Sequence, residues 1–254
     1  MTRFSANLGF LWTDRPLPDA IRAAKAAGFD AVECHWPYAT DPADVKAALD
    51  ETGLPMLGLN TARGDLSAKE NGLSALPNRE HDARAAIDQA VDYARGIGAR
   101  AVHVMAGFAS GPEAERTFVA NLAYACDKAD DITVLIEPLN RHDAPGYFLS
   151  STDQAERIIA ELVRSNLKLM FDCYHVGRTE GDLVTRFKAL QPIIGHVQFA
   201  SVPDRGPPDH GEIDYAYVFR ELGKQGWEGP LGAEYRPRGD TEESLNWLVG
   251  FARS

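Results

Sequence analysis

The chain has 254 residues, 44% hydrophobic and 25% charged, the proportions of an ordinary globular protein. It carries 26 Lys and Arg against 37 Asp and Glu, a formal net charge of −11. That balance argues against a nucleic-acid surface, where phosphate contacts need clustered cations, and against docking on an anionic membrane. No apolar run approaches the roughly 18–20 residues of a membrane span. Residues 1–12 lack the cleavage pattern of a signal peptide. Three widely spaced cysteines, Cys34, Cys126 and Cys173, fit a reducing, cytoplasmic setting without a disulfide framework.

Short apolar, β-rich runs alternate eight times with helical patterns. In chain order, a strand is predicted at 5–10 and a helix at 18–27, then a strand at 31–36 and a helix at 42–52. A strand at 55–60 is followed by a helix at 80–98. Further pairs are 101–107 with 113–128, 133–140 with 153–164, 168–175 with 182–190, 194–200 with 215–225, and 230–237 with 242–252. The clearest helix is 80–98, where Ala83, Ala86, Ile87, Ala90, Val91, Ala94 and Ile97 form one stripe at i, i+3, i+4 spacing. Gly28, Gly53, Gly98 and Gly226 stand where helices terminate. Asp153 with Glu156 and Asp240 with Glu243 have capping-box spacing.

Eight such units in this length match a single (β/α)8 TIM barrel over 1–254. An open doubly wound sheet usually has fewer strands and a glycine-rich first turn, and none is present here. The connection 61–79, with Arg63, Lys69 and Asn71, is long for a βα loop and reads as a lid or as a tolerated insertion.

Active sites of such barrels lie at the C-terminal ends of the strands. There the fifth to eighth strands present Glu137, Asp172, Gln198 and Glu234 in turn. If these converge, three negative charges share a desolvated space, which requires protons or a cation. Oxygen-only donors favour Mg2+ or Mn2+ over Zn2+. Nearby, His175 is read as a substrate contact or a loop histidine, and Arg205 as a carboxylate clamp or a solvated loop residue. Asn140, Arg141 and Asp143 are further substrate contacts. His196 is read as core or as support for Gln198, Glu33 and His35 as a core pair that could reach the pocket, and His103 as core. No Lys ends strands five to eight, so Schiff-base chemistry lacks its nucleophile. No phosphate-gripping glycine loop is evident, which favours a free sugar or sugar acid. A cation flanked by two glutamates points to proton transfer through an enediolate, giving aldose–ketose isomerisation or epimerisation.

At these residues the chain resembles the hydroxypyruvate isomerase family within the xylose-isomerase-like TIM barrels. The resemblance runs nearly end to end through Arg3–Leu8, Gly28-Phe-x-x-Val-Glu33, Gly64-Asp65, Gly72, Ile136-Glu-Pro-Leu-Asn140, Asp172-x-Tyr-His175, Gly195-His-Val-Gln198, Arg205-Gly, Gly211-Glu-Ile-Asp-Tyr215 and Glu234-Tyr235. It implies a divalent ion on Glu137, Asp172, Gln198 and Glu234, with Glu137 and Glu234 as the proton pair. His175 matches the substrate histidine of the related ketose 3-epimerases and Asp143 an acid one layer behind their site; those enzymes usually carry His at the Gln198 position. The implied reaction interconverts hydroxypyruvate and tartronate semialdehyde, with a 2-oxotetronate or a ketose as alternative substrate. Arg205 or Arg63 would hold the substrate carboxylate. The expected partner is a small hydroxy-oxo acid, with no nucleic acid and no membrane; a homo-oligomer is left open.

Overall fold

The computed structural model describes residues 2–251. The elements are β1 (Phe4–Asn7), α1 (Leu17–Ala27), β2 (Ala31–Glu33), α2 (Pro42–Thr52), β3 (Leu59–Asn60), α3 (Glu80–Ile97), β4 (Ala101–His103), α4 (Gly111–Lys128), β5 (Thr133–Ile136) and α5 (Thr152–Leu162). They continue with β6 (Leu167–Asp172), α6 (Cys173–Thr179), α7 (Leu183–Leu190), β7 (Ile194–Phe199), α8 (Tyr215–Lys224), β8 (Leu231–Ala233) and α9 (Asn246–Phe251). All strand pairs are parallel, in the order β2-β1-β8-β7-β6-β5-β4-β3. A parallel bridge between Val32 and Met56 joins the two ends of that order. The result is a (β/α)8 barrel.

Alternation along each strand divides the residues between two environments. Val102, Val134, Ile136, Phe171, Val197, Phe199 and Leu231 face outward into the apolar layer under the helices. The inward face holds a small plug of Ala101, Leu135 and Met170. Above it lies a buried polar layer that includes Ser5, Asn7, Glu33, His103, His196 and Gln198. The strands therefore look apolar from outside and carry their chemistry inside, two residues apart.

Several local expectations need correction. The strands are shorter than read, because their last residues turn outward into βα loops. The strand read at 168–175 stops at Asp172, and Cys173–Thr179 is a helix instead. Asp172 Oδ1 accepts from Tyr174 N at 2.8 Å, so the strand-end acid caps the helix that follows. Asp153 does not cap α5; Ser151 does, through Gln154 N. The helix read at 242–252 is a 3-10 turn, Glu242–Ser244, followed by α9, and Ala252 lies outside the described residues. Gly28, Gly53 and Gly98 do terminate α1, α2 and α3 with positive φ. The three cysteines are buried and unpaired. No helix among the described residues is long and apolar enough to cross a membrane.

The 61–79 connection is stitched to the end of the fourth strand. Ala75 N donates to Ala106 O at 2.7 Å and Thr61 N to His103 O at 2.9 Å. Gly72 makes this contact possible. Its φ is 109°, and a Cβ there would lie 2.6 Å from the Met105 carbonyl oxygen, inside any tolerable contact. The second half of the loop is thus a fixed wall, while Leu66 at its tip is well exposed.

Candidate active site

At the C-terminal strand ends Glu137, His175, Arg205 and Glu234 are among the residues that line a cavity of about 300 Å³. Glu137 follows β5, Asp172 ends β6, Gln198 lies in β7, and Glu234 follows β8. All four are buried. Pairing places Asp172 opposite Gln198, and Gln198 opposite Gly232, two residues before Glu234. Glu137, Asp172, Glu234 and His175 each offer a ligating atom within 4.8 Å of one another. A larger groove of about 960 Å³, lined by α4 and α5 residues, lies away from this cluster.

Each carboxylate has its own surroundings. Glu234 Oε1 accepts from Asn7 Nδ2 at 3.0 Å and lies 3.0 Å from His35 Nε2, while Oε2 is bonded by Arg205 Nη2. Glu137 Oε2 lies 3.6 Å from His103 Nδ1. Glu137 Oε1, Asp172 Oδ2 and Gln198 Oε1 are buried with no hydrogen-bond partner. Burial raises the Glu137 carboxyl well above its ordinary range, reinforced by Glu234 and Asp172. Burial and Glu234 push Asp172 up to about 7. Burial opposes ionisation of Glu234 as well, but Arg205 and His35 outweigh it and hold that carboxyl below its usual value. Three carboxylates therefore face one guanidinium. The two raised values show that three negative charges are unfavourable there without protons or a cation to offset them.

The orphaned oxygens of Glu137, Asp172 and Gln198 are free acceptors that such an ion could use. Gln198 Nε2 is engaged at 2.9 Å by Glu33 Oε1, which leaves its carbonyl oxygen buried and unbonded. His175 does not fit as a ligand. Its Nδ1 accepts from the Asn140 backbone N–H at 2.9 Å, a donor that cannot reverse. The proton of the neutral ring then sits on Nε2, 3.6 Å from Asp172 Oδ2 and 3.7 Å from Glu137 Oε1. Burial, with Arg205 nearby, lowers the His175 pKa to about 3, so the ring is a neutral donor aimed at the cavity. Asn140 Nδ2 also bonds His175 and, at 3.0 Å, Asp143. Asp143 accepts from Tyr174 Oη at 2.6 Å. Burial opposes the Asp143 charge, but these hydrogen bonds keep its carboxyl below the ordinary range.

Arg205 adopts a left-handed φ of 55°, unusual for a residue with a Cβ. Two backbone bonds hold it there: Arg205 N to Ser201 O at 2.9 Å, and Arg236 N to Arg205 O at 2.7 Å. Its guanidinium stacks over Phe10 and Tyr174, 4.9 and 5.0 Å from the ring centroids, and bonds Glu234. Arg63 lies at the cavity wall over Trp36, 4.6 Å from the ring centroid, with Nε bonded to Asn71 at 3.1 Å. No carboxylate among the described residues pairs with Arg63. Arg141, in contrast, lines the outer groove.

Glu33 and His35 are not a pair. Glu33 bonds His196 at 2.5 Å, and His35 bonds Glu234. His103 lines the cavity with neither ring nitrogen bonded, and burial lowers its pKa to about 4. Asn7, His35 and His103 thus join the site beyond the strand-end residues. Of these, His35 is legible in the sequence as a residue that could reach the pocket; Asn7 and His103 end β1 and β4, strands that carry no acid at the rim.

The family described as xylose isomerase-like TIM barrel matches residues 21–250. A 2-oxo-tetronate isomerase from Cupriavidus necator is 44% identical, covering 99% of both chains. A hydroxypyruvate isomerase from Escherichia coli strain K12 is 36% identical, covering 98% of both. A crystal structure from Brucella melitensis, titled AP endonuclease, family 2, superposes with a TM-score of 0.94 at 38% identity, covering 99% of both chains.

Proposed function

The chain belongs to the xylose isomerase-like TIM-barrel family and is a hydroxypyruvate isomerase-like enzyme, and from that premise we propose that it interconverts hydroxypyruvate and tartronate semialdehyde. The observation that carries this reading is the buried meeting of Glu137, Asp172 and Glu234, with unbonded acceptor atoms, opposite the neutral Nε2–H of His175. Glu137, Asp172, Gln198 and Glu234 would hold Mg2+ or Mn2+. When bound, that ion supplies charge that polarises the substrate carbonyl and favours the enediolate.

The protein's own groups supply the proton transfers. One of Glu137 and Glu234 takes a proton from C3 of hydroxypyruvate, and the other returns one to C2. The C3 hydroxyl loses its proton and the C2 oxygen gains one, so the reaction is redox-neutral. His175 donates from Nε2 to the oxygen where charge develops, its ring held by Asn140 and, behind that, Asp143. Arg205 keeps Glu234 ionised. Because Arg205 is engaged there, Arg63 is the better holder of the substrate carboxylate. A neutral ketose would leave Arg63 without a counter-charge. A second reading, a four-carbon 2-oxotetronate as substrate, is favoured by the Cupriavidus necator relative.

Turnover in 2H2O should place deuterium on C2 of tartronate semialdehyde, read by mass spectrometry and NMR. In parallel assays kcat/KM should be higher for hydroxypyruvate than for 2-oxotetronate. Turnover of the four-carbon acid alone would transfer the assignment to the second reading, and retention of the substrate hydrogen at C2 would replace the relay with a hydride shift.

Arg63→Ala should raise KM for hydroxypyruvate about 10- to 100-fold, the value of one or two charge-assisted hydrogen bonds, with kcat within a few-fold. An unchanged KM would return the carboxylate to Arg205.

A further inference from the structure

Beneath the proposed ion site lies a carboxylate that takes no part in the proton transfers. Glu33 ends β2 and is 3% exposed. Its side chain is surrounded by donors. Oε1 accepts from Gln198 Nε2 at 2.9 Å and from Asn7 Nδ2 at 3.1 Å. Oε2 accepts from Ser5 Oγ at 3.4 Å and lies 2.5 Å from His196 Nε2. Space for it comes from the eighth strand: a Cβ on Gly232 would sit 2.7 Å from Glu33 Oε1 and 3.0 Å from Gln198 Cγ.

The two ends of a glutamine amide are nearly the same size, so shape alone does not orient it. Its neighbours do. Glu33 Oε1 already accepts from Asn7 Nδ2 and offers Gln198 a lone pair, so the Gln198 end that faces it has to be the NH2. Glu234 Oε1, 3.4 Å from the same nitrogen, imposes the same choice. The carbonyl oxygen is left pointing away, buried and unbonded. A reversed amide would set two acceptors against each other at Glu33 and turn N–H groups towards the place of the cation.

We propose that Glu33 is a positioning residue that locks the Gln198 amide in one orientation, so that Oε1 is the atom offered to the divalent ion. His196, Asn7 and Ser5 hold the Glu33 carboxylate in turn, so it neither rotates nor enters the ligand set. The proposal rests on the reading of Gln198 as a ligand, and it adds a reason for a glutamine to serve where an amide otherwise has two equivalent faces.

The test is a double-mutant cycle read by Mn2+ titration calorimetry, with the free-Mn2+ signal in electron paramagnetic resonance as a second readout. Glu33→Gln keeps the size of the side chain but can present its own NH2 to Gln198, removing the lock. It should weaken Mn2+ binding about 10- to 100-fold, the usual scale for groups that orient a ligand. Gln198→Ala should weaken it as well. In the double variant the loss should be clearly smaller than the product of the two single losses, because the orienting effect of Glu33 runs through Gln198, while its charge also reaches Glu137 and Asp172 directly. A Glu33→Gln variant that binds Mn2+ like the wild type overturns the proposal, and so do losses that multiply in the double variant. Wild-type protein that binds no Mn2+ would instead sink the ligand reading itself, and the proposal with it. Melting of the metal-free proteins checks folding. If Glu33→Gln fails to fold, Glu33→Asp, still an acceptor without a proton, carries the same cycle through the shorter reach, with the same nonadditivity expected.

Discussion

Replacing Glu137 with Gln should lower kcat by about 10³-fold while leaving the protein folded and no less stable without metal. A positioned general acid or base contributes roughly 10²–10⁴ to a rate, about 3–5 kcal/mol of barrier at 1.36 kcal/mol per decade. The substitution keeps the shape of the side chain and removes only its ability to carry the proton and its charge. Glu137 is also poorly tolerated in ionised form, since burial, Glu234 and Asp172 all raise its pKa. Making it permanently neutral therefore relieves repulsion in the metal-free protein, so melting should hold or rise as activity falls. That combination separates a lost catalytic group from a damaged fold. Rates are to be taken at saturating Mn2+, since the variant also loses a charged donor. A kcat within about threefold of wild type at saturation would remove Glu137 from the proton relay.

Chelation should abolish turnover and lower the melting temperature by about 5–10 °C relative to protein in excess Mn2+. Ligand at 100 times its dissociation constant stabilises by about 2.7 kcal/mol, and each kcal/mol moves a chain of this size by roughly 2–4 °C. The pH dependence has a definite sign. Asp172 titrates near 7 in the metal-free fold against an ordinary 3.8, and Glu137 is raised too. Groups with raised folded values favour the fold at low pH and lose that contribution as pH rises through the folded value. The stabilising contribution of these two carboxyls should thus fall between about pH 4 and pH 7, against an opposite contribution from the buried neutral His103 and His175 that is common to both metal states. Mn2+ binds the deprotonated ligands, so its stabilisation should grow over the same interval. Melting curves with EDTA and with Mn2+, taken from pH 5 to pH 8, should diverge as pH rises. Parallel curves would mean that the carboxylates do not hold the ion.

Much of the site is visible in the chain because barrel geometry turns strand ends into neighbours. Glu137, Asp172, Gln198 and Glu234 each close an apolar β-rich run, and a closed sheet has one C-terminal rim. What could not be read was direction and partner choice. Asp172-Cys-Tyr-His looks like continuing strand because its residues favour β structure. The structure instead starts a helix at Cys173, capped by Asp172, and that turn lifts His175 to the rim. Glu33 and His35 share a face two residues apart, which permits a pair. Their actual partners are His196 and Glu234, more than 160 positions away in the chain. Arg205 looked free to clamp a substrate; in three dimensions it is committed to Glu234.

The amino-acid order by itself determined the eightfold alternation, the inward rhythm of two and the acidic rim, because hydrophobic periodicity and strand-end position are local properties. Only the tertiary structure decided which hydrogen-bonding atom meets which: that His175 accepts from the Asn140 backbone, that Gln198 turns its NH2 to Glu33, and that Arg63 bonds Asn71. Those outcomes depend on donors and acceptors brought together from distant strands in a buried space, where one unmatched polar atom costs about 1–3 kcal/mol, and no local pattern records that balance.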